Sequence, residues 1–273
     1  MSLGLDQTQL DRYSRHIILD DVGPDGQAAL LDAAVLVVGA GGLGSPVIQY
    51  LSAAGVGRLG IADDDVVERS NLQRQVIHGE SDLERPKVES AAEFVAELNP
   101  DIDVEAHEVR VRPPNVMDLI EGYDVVVDAT DNFQARYLLN DACVLAGIPV
   151  SHGAVYRFEG QVTTFERTES SPCYRCLFPQ APPDGAIPDC ATAGVLGVVP
   201  GLIGTIQATE AIKLLLDHGE TLDGRLWCVD ASAMDVESVP IRPNPECPVC
   251  GDDPEITSVA EVSYADRCSI AAE

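Results

Sequence analysis

Two cysteine pairs and one glycine-rich run are the parts of this 273-residue chain most able to do chemistry. Cys173-x-x-Cys176 and Cys247-x-x-Cys250 offer four thiolates at two short spacings, a set that suits tetrahedral Zn2+. Disulfides or a redox pair are the competing readings. The pairs are 70 residues apart, so the fold must bring them together. Gly39-x-Gly41-x-x-Gly44 has the spacing of a phosphate-binding turn: glycines allow a sharp bend and let phosphate approach backbone N–H groups at a helix start. Asp63 can then accept hydrogen bonds from ribose hydroxyls. That much fits any nucleotide, including the NAD of a dehydrogenase.

Charged residues further on narrow the choice. Ser70-Asn71-Leu72-Gln73-Arg74-Gln75 and Arg85-Pro86-Lys87 place a forked Arg and a point-charge Lys after the ribose-binding carboxylate. Hydride transfer needs an apolar nicotinamide pocket and a proton relay; two cations and an Asn suit a triphosphate. Lys87 is one of only two lysines, with Lys213, which argues against a solvated surface charge. Asp131 can hold Mg2+ or orient phosphates, and equally can cap the helix that follows. Cys190 stands alone on a Pro-rich stretch, either a nucleophile or a structural thiol, while Cys143 and Cys228 lie in apolar runs and Cys268 in the tail. The five histidines form no metal-spaced pair.

These groups need elements to hold them. Apolar Ala34 to Val38 reads as a buried strand before the glycine turn, with a helix bearing Val47, Ile48 and Leu51 after it. Leu59 to Ala62 is a second strand, ending at Asp63. Pro86 opens a helix that closes at Asn99-Pro100, Val104 to Val109 returns to the sheet, and Val125 to Val127 is a strand ending just before Asp131. A helix over 133–146, hairpins at 150–166 and 226–241, and a helix over 200–216 follow. The pattern predicts an α/β fold, a Rossmann-like, mostly parallel sheet extended by antiparallel strands, with a four-cysteine zinc site. Residues 1–251 read as one domain and 252–273 as an acidic tail expected to be disordered; 170–194 reads as a long surface loop.

Composition sets the surroundings. Asp plus Glu total 45 against 17 Lys plus Arg, a net charge of −28 that excludes a broad nucleic-acid surface. Fifteen of the seventeen cations are arginines. Such a Lys-poor, carboxylate-rich chain suits the salty cytoplasm of a halophilic archaeon, where ions screen its self-repulsion. The first twenty residues lack a signal-peptide core, and the apolar stretch 194–206 is too short to span a bilayer, so a cytoplasmic protein is expected.

The run Arg12-Tyr13-Ser14-Arg15-His16-Ile17-Ile18-Leu19, the glycine turn, Ser70 to Gln75, Pro86-Lys87-Val88 and Thr130-Asp131-Asn132 together resemble the ubiquitin-activating superfamily. More narrowly they resemble its MoeB and ThiF type, nearest an archaeal activating enzyme for ubiquitin-like proteins, over Gln9 to about Gly251. The resemblance implies ATP-dependent adenylation of the C-terminal Gly-Gly of a small ubiquitin-like β-grasp protein, for sulfur transfer to molybdopterin or tRNA, protein conjugation, or both. It implies nucleotide contacts from Gly39, Gly41, Gly42, Gly44, Asp63, Ser70, Asn71, Leu72, Gln73, Arg74 and Lys87, with Asp131 and Asn132 closing the site around metal and α-phosphate. It makes the four-cysteine zinc structural and matches Cys190 to a cysteine that forms a thioester or persulfide in some relatives. Arg15 matches an arginine that reaches across a homodimer to the partner's γ-phosphate; a surface ion pair is its plainer role. A separate sulfur donor is expected. The alternatives are an NAD-dependent oxidoreductase and a non-catalytic scaffold, the latter disfavoured by the presence of Arg15, Arg74, Lys87 and Asp131.

Overall fold

Five apolar residues, all buried, make β1 (Ala34–Val38), and a strand hidden on both faces must lie inside a covered sheet. The structure is a computed structural model and describes residues 5–168, 170–180 and 194–264. β2 (Arg58–Ala62), β3 (Asp103–His107), β4 (Val125–Asp128) and β5 (Val150–Tyr156) join β1 in parallel, and β6 (Glu159–Phe165), β7 (Arg225–Asp230) and β8 (Asp235–Pro240) continue antiparallel. The strand order is β3-β2-β1-β4-β5-β6-β7-β8. This is the mixed sheet the sequence pattern predicts.

The helices are α1 (Gln7–Arg12), α2 (Ser14–Ile17), α3 (Gly23–Asp32), α4 (Gly44–Ala54), α5 (Lys87–Leu98), α6 (Val116–Ile120), α7 (Phe133–Ala146), α8 (Tyr174–Leu177) and α9 (Val198–Leu216). Val47, Ile48 and Leu51 of α4, Val88, Ala91 and Val95 of α5 and Ile203, Ala208 and Ala211 of α9 build one core with the sheet. Leu119 and Ile120 of α6 and Leu138, Leu139 and Ala142 of α7 build another with Leu36, Val38 and Val126. Two separate cores on a doubly wound sheet give a three-layer sandwich.

The helix expected over 200–216 is α9, which starts at Val198; the apolar stretch 194–206 read as too short to span a bilayer runs into it, and α9 as a whole is long and apolar enough by composition to cross a membrane. Its inner face is packed, however. Gln207 and Glu210 are buried on it, and Glu210 accepts from Thr164 Oγ1 (2.8 Å), Leu222 N–H (2.6 Å) and Lys213 Nζ (2.5 Å). A core helix whose buried Glu210 carboxylate and Gln207 Nε2 are hydrogen-bonded accounts for this.

The acidic segment after Gly251 differs from the expected disorder as far as residue 264. Val259 is buried among α6 and α7 residues, and the Tyr264 hydroxyl donates to Asp141 Oδ2 at 2.7 Å. Residues 265–273, with Cys268, lie outside the described residues.

Candidate functional site

The chain leaves β1 toward β2 and β3 on one side, then returns to lay β4 on the other side of β1. The turns after β1 and β4 therefore diverge, opening the crevice at the strands' carboxyl ends where α/β sheets bind ligands. Gly39 lies in the left-handed region at φ +103°, and a Cβ there would sit 2.6 Å from the Ala129 carbonyl oxygen. A Cβ on Gly44 would collide with the Gly39 carbonyl. Only glycine allows so tight a turn. No side chain caps α4, so its first N–H groups face the crevice with the positive end of the helix dipole.

Three further groups converge on this turn. The Ala40 N–H donates to Asp63 Oδ2 (2.8 Å), just beyond β2. Burial pushes the Asp63 carboxyl above its ordinary range, while Lys87 pulls the other way. Lys87, buried at the first turn of α5, donates to Asp65 Oδ2 at 2.6 Å and stands 3.9 Å from Asp63 Oδ1. Behind it, His78 bridges the Ala40 carbonyl (3.0 Å) and Ser90 Oγ (2.8 Å), and burial holds its imidazole below the usual value. Arg85 behaves differently from Lys87: its guanidinium is occupied by Asp82 (3.0 Å) and Glu93 (2.5 Å).

The Ser70-to-Gln75 motif covers the turn from the other side. A Cβ on Gly42 would lie 3.3 Å from Arg74 Cγ and 3.2 Å from Pro200, and one on Gly41 would lie 3.5 Å from Gln75 Nε2. Arg74 Nη1 donates to the Ser70 carbonyl (3.1 Å), Ser70 Oγ donates to Glu68 (3.1 Å), and Asn71 Oδ1 accepts the Glu68 N–H (3.0 Å). Leu72 is half-buried, and the Gln73 carbonyl meets Gly197 at the start of α9. Gln75 Oε1 is buried without a hydrogen-bond partner among the described residues, an acceptor free for a ligand's donor.

Asp131 is exposed at the mouth of the crevice; among the described residues the Asn132 amide stands 3.5 Å from its carboxylate, and the charge of the buried Arg136 also acts on it. Asn132, not Asp131, caps α7, accepting the Ala135 N–H at 2.9 Å. The capping role open to Asp131 in the sequence thus belongs to its neighbour, which leaves Asp131 free for oxygen-seeking cations. Sequence reasoning missed the buried Asp128, His152 and Arg136 just behind it, because nothing in Val125-Val126-Val127-Asp128 marks that carboxylate as paired.

The four cysteines come together. Cys173 Sγ lies 3.6 Å from Cys247 and 3.3 Å from Cys250, and Cys176 lies 4.0 Å from Cys173 and 3.4 Å from Cys250. Bonds of about 2.3 Å from tetrahedral zinc separate sulfurs by about 3.8 Å, so the set could hold zinc. Hydrogen bonds among the four thiols lower Cys176 and Cys247 and raise Cys173 and Cys250, so without a metal the cluster shares its protons, and a bound metal needs all four as thiolates. The Asn244 N–H donates to Cys176 Sγ (3.4 Å). Arg15 is exposed on α2 and makes no hydrogen bond or ion pair among the described residues. Cys190 lies outside the described residues.

Comparison with known proteins gives consistent findings. The ThiF family model matches residues 13–249. The chain is 62% identical over 270 residues, 99% of either chain, to the SAMP-activating enzyme E1 of Haloferax volcanii. It is 50% identical over 266 residues, 96% of this chain and 97% of the other, to the sulfur carrier protein adenylyltransferase of Thermus thermophilus. Its fold matches the E. coli MccB crystal structure with MccA-N7isoASN at a TM-score of 0.79 and 22% identity, covering 92% of this chain and 76% of that one.

Proposed function

This chain belongs to the ThiF family, and from that premise we propose that it adenylates the C-terminal Gly-Gly carboxylate of a small ubiquitin-like β-grasp protein with ATP. The observation that carries the reading is the convergence of Asp63, Lys87 and Arg74 on one glycine turn at an uncapped helix start. The carrier's carboxylate oxygen attacks the α-phosphorus, the bond from that phosphorus to the bridging oxygen breaks, and pyrophosphate leaves with the electron pair. An ionised nucleophile needs no strong base, so positioning and charge neutralisation supply the rate. Asp63 holds the ribose. Gly39, Gly41, Gly42 and Gly44 admit the phosphates to backbone N–H groups, and Ser70 to Arg74 with Lys87 surround them. Asp131, beside Asn132, would hold Mg2+, which when bound shares the phosphate charge.

The zinc is structural. The activated carrier goes to sulfur transfer, protein conjugation or both, through a thioester or persulfide at Cys190, with sulfur from a separate donor. The enzyme works as a homodimer in a salty archaeal cytoplasm, Arg15 of one subunit reaching the γ-phosphate held by its partner. ATP–pyrophosphate exchange at high salt tests this with the wild-type and Cys190→Ser proteins. Both should exchange with a carrier ending in Gly-Gly and neither with one lacking those glycines, and only the wild type should form a covalent adduct. Carrier-independent exchange would refute adenylation of that terminus, and an adduct surviving in Cys190→Ser would move the covalent step to another thiol.

A further inference from the structure

Just behind Asp131 lies a buried carboxylate to which the chemistry above gives no part. Asp128 closes β4, and its Oδ1 accepts both the N–H (3.1 Å) and the Oγ1–H (2.6 Å) of Thr130. Its Oδ2 accepts Nδ1–H of His152, from β5, at 2.8 Å. Arg136 of α7 brings its Nε to 4.0 Å from Oδ2 and donates from Nη2 to the Thr130 carbonyl at 3.1 Å. Gln207 of α9 fixes the Asp128 backbone by donating to its carbonyl at 2.8 Å. Thr130 is thereby held at its N–H, its hydroxyl and its carbonyl by groups from β4 and α7, with His152 of β5 and Gln207 of α9 behind them.

All of these residues are buried, whereas Asp131, the next residue after Thr130, is exposed in the crevice. A turn at a strand end needs one such hydrogen bond. Burying a carboxylate with an imidazole and a guanidinium behind it is costly and builds something stiffer. His152 is itself wedged against the rings of Tyr174 (5.0 Å) and Phe165 (6.5 Å), so the back of the cluster cannot rotate away. Burial alone would raise the Asp128 carboxyl, but the His152 hydrogen bond and the Arg136 charge hold it below the carboxylate range, so it remains an acceptor on both oxygens.

We propose that Asp128 is a positioning residue for adenylation: acting through Thr130, it holds the Asp131 carboxylate at the nucleotide phosphates. The proposal rests on the role given above to Asp131. It makes the contribution of Asp128 wholly dependent on Asp131, a property that a merely structural role lacks.

The test is a double-mutant cycle in carrier-dependent ATP–pyrophosphate exchange, using Asp128→Asn, Asp131→Ala and the double variant, with zinc content and unfolding midpoint as fold controls. Asp128→Asn should lower kcat by about 10- to 100-fold, as losses behind a primary ligand do, with KM for ATP moving much less. In the Asp131→Ala background the same change should cost almost nothing. Equal losses in both backgrounds, or parental kcat in Asp128→Asn, would overturn the proposal. If Asp131→Ala alone exchanges at the parental rate, the role of Asp131 in the proposed function is what fails. Should Asp128→Asn not fold, Thr130→Val and Thr130→Ser decide: loss in Val with activity kept in Ser supports the proposal, and equal activity in both overturns it.

Discussion

In the proposed reaction Lys87 brings one ammonium to the nucleotide phosphates. It is buried, with the Asp65 carboxylate at 2.6 Å and that of Asp63 beyond at 3.9 Å. A compact, strongly hydrated cation is costly to bury unless such partners, or phosphate oxygens, surround it. Lys87→Ala should therefore lower kcat of exchange by about 10²- to 10³-fold, the usual loss for one donor at developing charge. Parental kcat in that variant would remove Lys87 from the mechanism. The residue was legible in the sequence because lysine is so scarce there and because it follows Pro86 at a helix start. Its partners were not. Asp65 reads as one of three consecutive acidic residues, and His78 as an isolated histidine, since their contacts to Lys87 and to the Ala40 carbonyl join residues 22 and 38 positions apart.

At the scale of elements, the four-cysteine cluster joins two segments that, among the described residues, share no regular hydrogen-bonded element. Cys173 precedes the four-residue α8, Cys247 and Cys250 follow β8, and Cys247 lies 74 positions after Cys173. Between them Val249, Val144 and Ile256 form only a small apolar cluster, too small to hold the loops unaided. Elemental analysis should find about one zinc per chain. Cys250→Ser should release it and lower the unfolding midpoint while leaving kcat of the remaining folded enzyme near parental, the outcome expected of a metal that stabilises the fold and not the transition state. A metal-free native protein would refute the four-cysteine site, and a variant that kept its stability but lost kcat would make the metal catalytic. The long elements were legible for a plain reason: α5, α7 and the parallel strands repeat apolar residues at helix or buried-strand spacing. α8 was not legible, because four residues carry no period; its ends are set by cysteine placement and by Tyr174, whose N–H donates to Asn140 at 2.8 Å.

The molecule as a whole carries a charge of −28, yet it buries two imidazoles, His78 behind the glycine turn and His152 on β5. Burial lowers both, His152 despite its bond to Asp128 and His78 with help from the nearby Lys87 charge. The unfolded chain, whose histidines titrate near 6.5, therefore takes up protons before the folded one does. Stability falls as pH drops below about 6.5 and continues falling until the folded-state values are reached. Asp128 adds to the loss at still lower pH: its folded carboxyl is held low, so its stabilisation is present above about 3.9 and disappears as pH falls through the folded value. Asp63, raised by burial, acts in the opposite sense and moderates the acid limb. Multimolar salt screens the surface carboxylates, which isolates these buried groups. The unfolding midpoint at such salt should then fall between pH 7.5 and pH 5.5, and His78→Gln, which has no proton to take up, should flatten the slope. A midpoint that is flat or rising across that interval would mean these rings charge as readily inside the fold as outside it. Composition revealed the excess of carboxylates, but not this dependence. It arises where the turns after β1 and β4 diverge and the sheet must hold polar groups inside itself to keep a nucleotide crevice open.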